Sequence, residues 1–136
     1  MANHSGKIFP TPTRETAHYW EGCREHKLRL QCCVSCGKHQ FYPRSVCSHC
    51  LGDQLRWIEA SGAGKVISFT LVRRAVSEAY KADTPYVVAL VQLDEGPTMM
   101  SNVERCTPES VEIGMRVTAF FEEWSEEISI PKFCPI

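Results

Sequence analysis

Four cysteines, Cys33, Cys36, Cys47 and Cys50, carry the spacing Cys-x2-Cys-x10-Cys-x2-Cys. A Cys-x2-Cys turn points both sulfurs at one ion and folds backbone N–H groups over them. Two such turns supply four thiolates, the donor set of a closed, tetrahedral, structural metal site. Zinc is the favoured ion, and iron in a rubredoxin-like site is its rival, because four sulfurs suit both. Gly37 follows the first pair, where a positive φ lets the turn close. In the second pair Leu51 holds that place and Gly52 comes one later. A disulfide framework is disfavoured, because the opening MANHSGKIFP contains no apolar segment of a secretory signal. A cytoplasmic location is expected on the same ground.

The remaining donors read more plainly. Cys32 adjoins Cys33, but pairing it with Cys36 gives a three-residue spacer and a poorer knuckle. His39 and His49 are expected at the surface, beside a site of net charge about −2. Cys23, Cys106 and Cys134 are isolated and read as small buried hydrophobes. Ser61-Gly62-Ala63-Gly64-Lys65 has the outline of a phosphate loop, but Glu59 and Val66 stand where that motif needs glycine and Ser or Thr. The glycines instead permit a tight turn into a strand. No G-x-S-x-G or H-E-x-x-H occurs. Glu122, Glu123, Glu126 and Glu127 read as a solvated strand end or hairpin rim. No nucleophile–base pair is recognisable, so no turnover is expected of the chain by itself.

The elements that must position the cysteines follow from patterning. Pro10 and Pro12 mark residues 1–12 as an extended arm. Thr13 reads as an N-cap for a helix from Arg14 to about His26, with Ala17, Tyr19, Trp20 and Cys23 largely on one face. A helix this short is marginal alone, so its Tyr19/Trp20 face must meet the core or a partner. Leu28 to Gln31 and Gln40 to Tyr42 alternate like short strands around the knuckles. Leu55 to Ile58 leads out of them. Beyond, five strands are expected: Gly64–Arg74, with Ile67, Phe69 and Leu71 on one face; Tyr86–Leu93; Thr98–Val103; one from Ile113 to about Glu122; and Ile128–Phe133. Asp94 to Pro97 makes a hairpin turn. Residues 75–84 read as a loop and Thr107–Ser110 as a single helical turn. The fold class is therefore mainly β: residues 1–26 arm and helix, 27–57 a four-cysteine zinc ribbon, 58–136 a five-stranded barrel of the OB type.

Composition bounds the rest. The chain has 136 residues, 43% apolar and 23% charged, which excludes a disordered tail, a collagen-like fibre and a coiled coil. The longest apolar stretch, Tyr86 to Val91, falls far short of the roughly 20 residues that span a bilayer, so no membrane partner is expected. Charge is unevenly spread. Residues 27–57 are net +4 and residues 58–136 net −5. Ribbons and OB barrels both bind nucleic acid, and a nucleic-acid-binding module is the alternative reading. An acidic barrel counts against it, because phosphate attraction dominates that affinity.

Together these blocks resemble a known family. TAHYWEGCREHKLRLQCCVSCGKHQFYPRSVCSHC, WIEASGAGKVISFTLVRR, PYVVALVQLDEGPTMMSNV, IGMRV and PKF are similar to the acyl-CoA-associated OB-fold family with an N-terminal rubredoxin-like zinc ribbon, domain of unknown function thirty-five. The resemblance implies zinc on Cys33, Cys36, Cys47 and Cys50. It implies a non-catalytic accessory subunit in a hetero-oligomer with a thiolase-fold catalytic subunit. That partner would cleave or form C–C bonds, with acyl-CoA at its site. Lys38 and Arg44 on the ribbon, and Arg73 and Arg74 at a strand end, are the candidate contacts for CoA phosphates.

Overall fold

A computed structural model describes residue 4 and residues 6–136. Residues 1–3 and 5 of the expected arm lie outside the described residues. The described residues run through one α-helix, α1 (Ala17–Arg24), and eight strands. β1 (Arg29–Cys33), β2 (His39–Gln40) and β3 (Leu55–Glu59) form an antiparallel sheet in the order β2-β1-β3. β4 (Ala63–Val72), β5 (Tyr86–Leu93), β6 (Thr98–Val103), β7 (Arg116–Glu123) and β8 (Ser129–Pro135) close a barrel in the order β4-β5-β6-β8-β7. The architecture is mainly β, a ribbon followed by an OB-like barrel. Among the described residues no helix is long and apolar enough to cross a membrane.

The barrel follows from alternation. In β5 every second residue, Val87, Ala89, Val91 and Leu93, is buried, as a strand with one face on a core requires. β5 pairs with β4 on one side and β6 on the other. Closure needs β4 to meet β7, with Gly64 opposite Val117. On its other side, a Cβ on Gly64 would lie 2.6 Å from the Gln92 carbonyl oxygen of β5, so glycine is what allows β4 to approach β5 there. β6 and β8 meet in parallel at Val103 and Phe133, and the Glu104 N–H donates to the Phe133 carbonyl at 2.7 Å.

β4 departs from the expected pattern. A bulge between Val66 and Ser68 inserts one extra residue against β5. Phe69 and Leu71 lie opposite the buried Ala89 and Val87, but Ile67 falls on the bulge, and Ile67 and Phe69 are both exposed. Bulges break strict period-two alternation. Residues 78–83 form a short 3-10 helix within the expected loop, and residues 108–110 form the expected helical turn as a 3-10 helix.

α1 starts later than expected. The Thr13 carbonyl accepts from the Ala17 N–H at 2.8 Å, while the Thr16 hydroxyl caps the Thr13 N–H at 2.8 Å and spends its bond there. The helix packs on β1 of the ribbon and on β7 and β8 of the barrel. Tyr19 and Cys23 join Leu28 and Leu30 in one core that continues into Val66, Val91, Val117 and Phe133. Tyr19 is therefore covered by the protein itself and offers no surface to a partner. Trp20 is half-buried and meets the Tyr19 ring at 5.0 Å. His26, just beyond the helix, stacks on Phe121 of β7 at 5.5 Å. Ribbon, helix and barrel thus share one apolar interior.

Candidate functional site

The ribbon sheet exists to present two turns. β1 ends at Cys33, and the first knuckle returns through Gly37 (φ +77°), whose N–H donates to the Cys33 carbonyl at 2.8 Å. The second knuckle repeats this geometry. Leu51 adopts φ +65° and its N–H donates to the Cys47 carbonyl at 3.0 Å. The four Sγ atoms of Cys33, Cys36, Cys47 and Cys50 come within 4.8 Å of one another. Cys33 and Cys50 sulfurs stand 3.6 Å apart, and Cys36 and Cys47 sulfurs 3.7 Å. Zn–S bonds of about 2.3 Å in a tetrahedron set sulfur–sulfur edges of about 3.8 Å. The donor set fits one structural zinc ion and leaves no open position. Cys33 and Cys47 are buried, while Cys36 and Cys50 lie on the solvent side.

Backbone N–H groups prepare the charge. The Cys36 N–H draws the Cys33 thiol below its ordinary range, against burial. In the second knuckle the Cys50 N–H does the same, and Cys47 falls to about 6. The N–H groups of Lys38 and Gly52 pull Cys36 and Cys50 the same way. There, burial and the neighbouring sulfurs outweigh them, and Cys50 rises to about 11. A dication among the sulfurs favours the thiolate at all four. Cys32 stands outside the cluster. Its buried sulfur lies 3.7 Å from the Gly37 carbonyl and 4.0 Å from an Arg56 nitrogen.

Two residues that patterning did not single out hold the second knuckle in place. Gln31 and Gln40 are buried between β1 and β2. The Gln40 amide donates to the Gln31 carbonyl oxygen at 2.6 Å, and that same oxygen accepts from the Arg44 N–H at 2.8 Å. The Gln31 amide donates to the Arg44 carbonyl at 2.8 Å, and the Ser48 N–H donates to the Gln40 oxygen at 2.7 Å. The irregular 41–48 segment has no sheet partner, so these amides satisfy its backbone. Two glutamines at facing strand positions in a ribbon were the available signal.

The four cations expected at CoA phosphates separate into different places. Arg73 and Arg74 share a cavity of about 460 Å³ with Lys81, Ser77 and Glu78. Lys38 lies on a cleft of about 600 Å³ between the ribbon and the β5–β6 turn, with His39, His49 and Glu95. Arg44 is exposed and joins neither. A third cavity, of about 480 Å³, opens at one end of the barrel. There Lys132 bonds Glu104 at 2.7 Å and Glu122 at 3.0 Å, and Lys7 bonds Asp83 at 2.7 Å. Burial raises the Glu122 carboxyl, but the Trp124 indole N–H and Lys132 outweigh it and hold the group below its usual range. Glu122 is thus an internal ion-pair partner and not part of a solvated rim, whereas Glu123, Glu126 and Glu127 are exposed.

Comparison with known proteins agrees with this anatomy. The family model described as the rubredoxin-like zinc ribbon domain of ChsH2 matches residues 20–56, and that of the ChsH2 C-terminal OB-fold domain matches residues 57–122. A DUF35 domain-containing scaffold protein of Methanothermobacter thermautotrophicus is 33% identical over 115 residues, which cover 83% of this chain and 86% of that one. A probable enoyl-CoA hydratase alpha subunit of Thermomonospora curvata is 32% identical over 126 residues. The match covers 93% of this chain but only 39% of that longer protein. Among solved structures, a chain of the Ltp2-ChsH2(DUF35) aldolase superposes with a TM-score of 0.82 at 32% identity, covering 93% of this chain and 98% of that chain.

Proposed function

Because the chain belongs to the DUF35 family of ChsH2, in which a rubredoxin-like zinc ribbon precedes an OB-fold domain, we propose that it is the non-catalytic accessory subunit of a thiolase-type enzyme. The carrying observation is the near end-to-end likeness to a chain of an aldolase that is named for two components, Ltp2 and ChsH2. In this reading zinc is purely structural, and the catalytic nucleophile and base belong to a thiolase-fold partner. The partner cleaves or forms a C–C bond next to an acyl-CoA thioester. The small subunit completes the assembly and helps hold the CoA. Arg73 and Arg74 are the pair best suited to its phosphates, since they share one cavity with Lys81 and face one carboxylate, Glu78. Lys38 is a second contact, reached through the ribbon–barrel cleft.

Co-expression with a thiolase-like protein encoded beside this chain tests the reading. A stable complex on gel filtration, with acyl-CoA turnover by the complex and none by the small chain alone, is the expected result. Turnover by the purified chain alone, or no complex with any thiolase-fold protein, would discard it.

A further inference from the structure

The cavity at the end of the barrel gathers charges of both signs. Its lining includes three cations, Lys7, Arg105 and Lys132, and three carboxylates, Asp83, Glu104 and Glu122. Lys132 is buried between Glu104 and Glu122. The buried Lys7 ammonium bonds Asp83 at 2.7 Å and stands over the Tyr80 ring at 4.9 Å. Buried ion pairs are weak sources of stability, and apolar residues of the same volume often serve a fold as well or better. Charged groups gathered in a cleft recur at functional sites.

Arg105 differs from the two lysines. Lys7 and Lys132 take up all three carboxylates, and Arg105 enters no ion pair among the described residues. It is exposed, whereas both lysines are buried, so it is the cation on the solvent side of the cavity. Its guanidinium carbon lies 3.8 Å from the centre of the Phe120 ring. Phe120 pairs with Lys132 across β7 and β8, and Glu122 pairs with Ile130. Alternation therefore puts Phe120, Glu122 and Lys132 on one sheet face, and the guanidinium lies over that face beside the cavity. Stacking fixes the plane of the fork and leaves its edge N–H groups able to donate. Arg105 also adopts φ +60°, directly after Glu104. That conformation is costly for a residue other than glycine and recurs at ligand clamps.

We infer that this cavity binds an organic monocarboxylate with a ring-containing apolar body, the carboxylate on the Arg105 fork and the ring against Tyr80, Tyr86 and Trp124. A planar guanidinium without a partner is suited to a carboxylate, which it can hold through two parallel bonds. The other charges of the lining, two lysines and three carboxylates, are net negative. They tolerate one negative charge on Arg105 and repel the second charge of a phosphate. Three aromatic rings, with Val87, Val103 and Ile130, supply the apolar wall. The volume of about 480 Å³ is that of a small-molecule pocket. This cavity is separate from the one shared by Arg73 and Arg74, and its ligand does not depend on the accessory-subunit reading.

The test is calorimetric titration of the full-length, zinc-loaded chain with naphthoate, with naphthamide and naphthyl phosphate as the uncharged and doubly charged probes. One naphthoate should bind per chain. The other two probes should bind about tenfold more weakly or worse, as loss of a charge-assisted bond implies. Arg105→Gly removes the fork and the backbone strain together. It should weaken naphthoate by about tenfold or more while the zinc is kept and the melting temperature does not fall, which loss of a merely structural residue would not give. Ile130→Trp, which fills the cavity and leaves Arg105 in place, should abolish binding. The inference is overturned if naphthoate does not saturate the chain, if naphthamide binds equally well, or if Arg105→Gly binds naphthoate as wild type does. Tighter binding of naphthyl phosphate would make this a phosphate site and overturn the monocarboxylate assignment.

Discussion

The ribbon and the barrel are ordered by different forces. The barrel closes five strands on themselves around Val66, Val87, Val91, Val117 and Phe133, so its order comes from burial and from hydrogen bonds with no free edge. The ribbon has three strands, one of them only two residues long, and its fully buried side chains near the knuckles are cysteines. Four sulfurs around an ion and two glutamine amides take the place of a core there. The contrast predicts one region whose order is intrinsic and one whose order is conditional on metal. The second knuckle also keeps an exposed leucine, Leu51, at positive φ.

Removing the metal should separate the two regions most sharply. Ligand binding is folding free energy in such sites, with apparent values of about 10–16 kcal/mol for zinc-finger peptides. Chelation, or Cys33→Ser or Cys47→Ser, should release about one zinc per chain and free the amides of β1–β3 to exchange, while β5 and β8 stay protected. Cys32→Ser should keep its zinc, since its sulfur lies outside the cluster. Hydrogen exchange with metal analysis decides both, and simultaneous loss of protection in both regions would erase the distinction.

The converse perturbation is Phe133→Ala. Phe133 is fully buried where β6 meets β8, and truncating a core Phe costs about 3–5 kcal/mol. Thermal melting should fall accordingly with zinc content unchanged in the folded protein. A smaller effect is expected of Gln40→Leu, which leaves the Ser48 N–H and the Gln31 oxygen short of partners, at about 1–3 kcal/mol. Competition with a chelator should show weakened zinc binding, because the second knuckle loses its support.

The smallest effect concerns the barrel-end ion pairs. The folded-state carboxyl of Glu122 titrates below its unfolded value. Its contribution is therefore complete above the ordinary glutamate range and is lost as pH falls through the lowered folded value. Lys132, raised because Glu104 and Glu122 outweigh its burial, contributes fully below the ordinary lysine range and loses that contribution as pH rises through its raised value. Glu122→Gln should lower stability at neutral pH by about 1 kcal/mol, because Lys132 keeps Glu104 as its charged partner. It should also flatten the acid limb of stability, read from denaturant midpoints between neutral and acidic pH.

What was legible in the sequence was local. The knuckle spacing brings Cys33, Cys36, Cys47 and Cys50 together, because a two-residue spacer sets the turn whatever surrounds it. The positive φ at Gly37 follows from the same turn, and β5 and β6 run over Tyr86–Leu93 and Thr98–Val103 as their patterning predicts. These features depend on residues a few positions apart, and a sequence states those relations directly. What only the tertiary structure decided depends on partners tens of residues away. The bulge at Ile67 comes from closing β4 against β5 and β7 together, which sets a register that no single strand contains. Tyr19 is buried because α1 lies across both ribbon and barrel. Glu122 finds Lys132 only across a strand pair. Leu51 was visible as an oddity of spacing, but its positive φ and its exposure needed the folded knuckle, since burial is a property of the whole surface and not of the chain order.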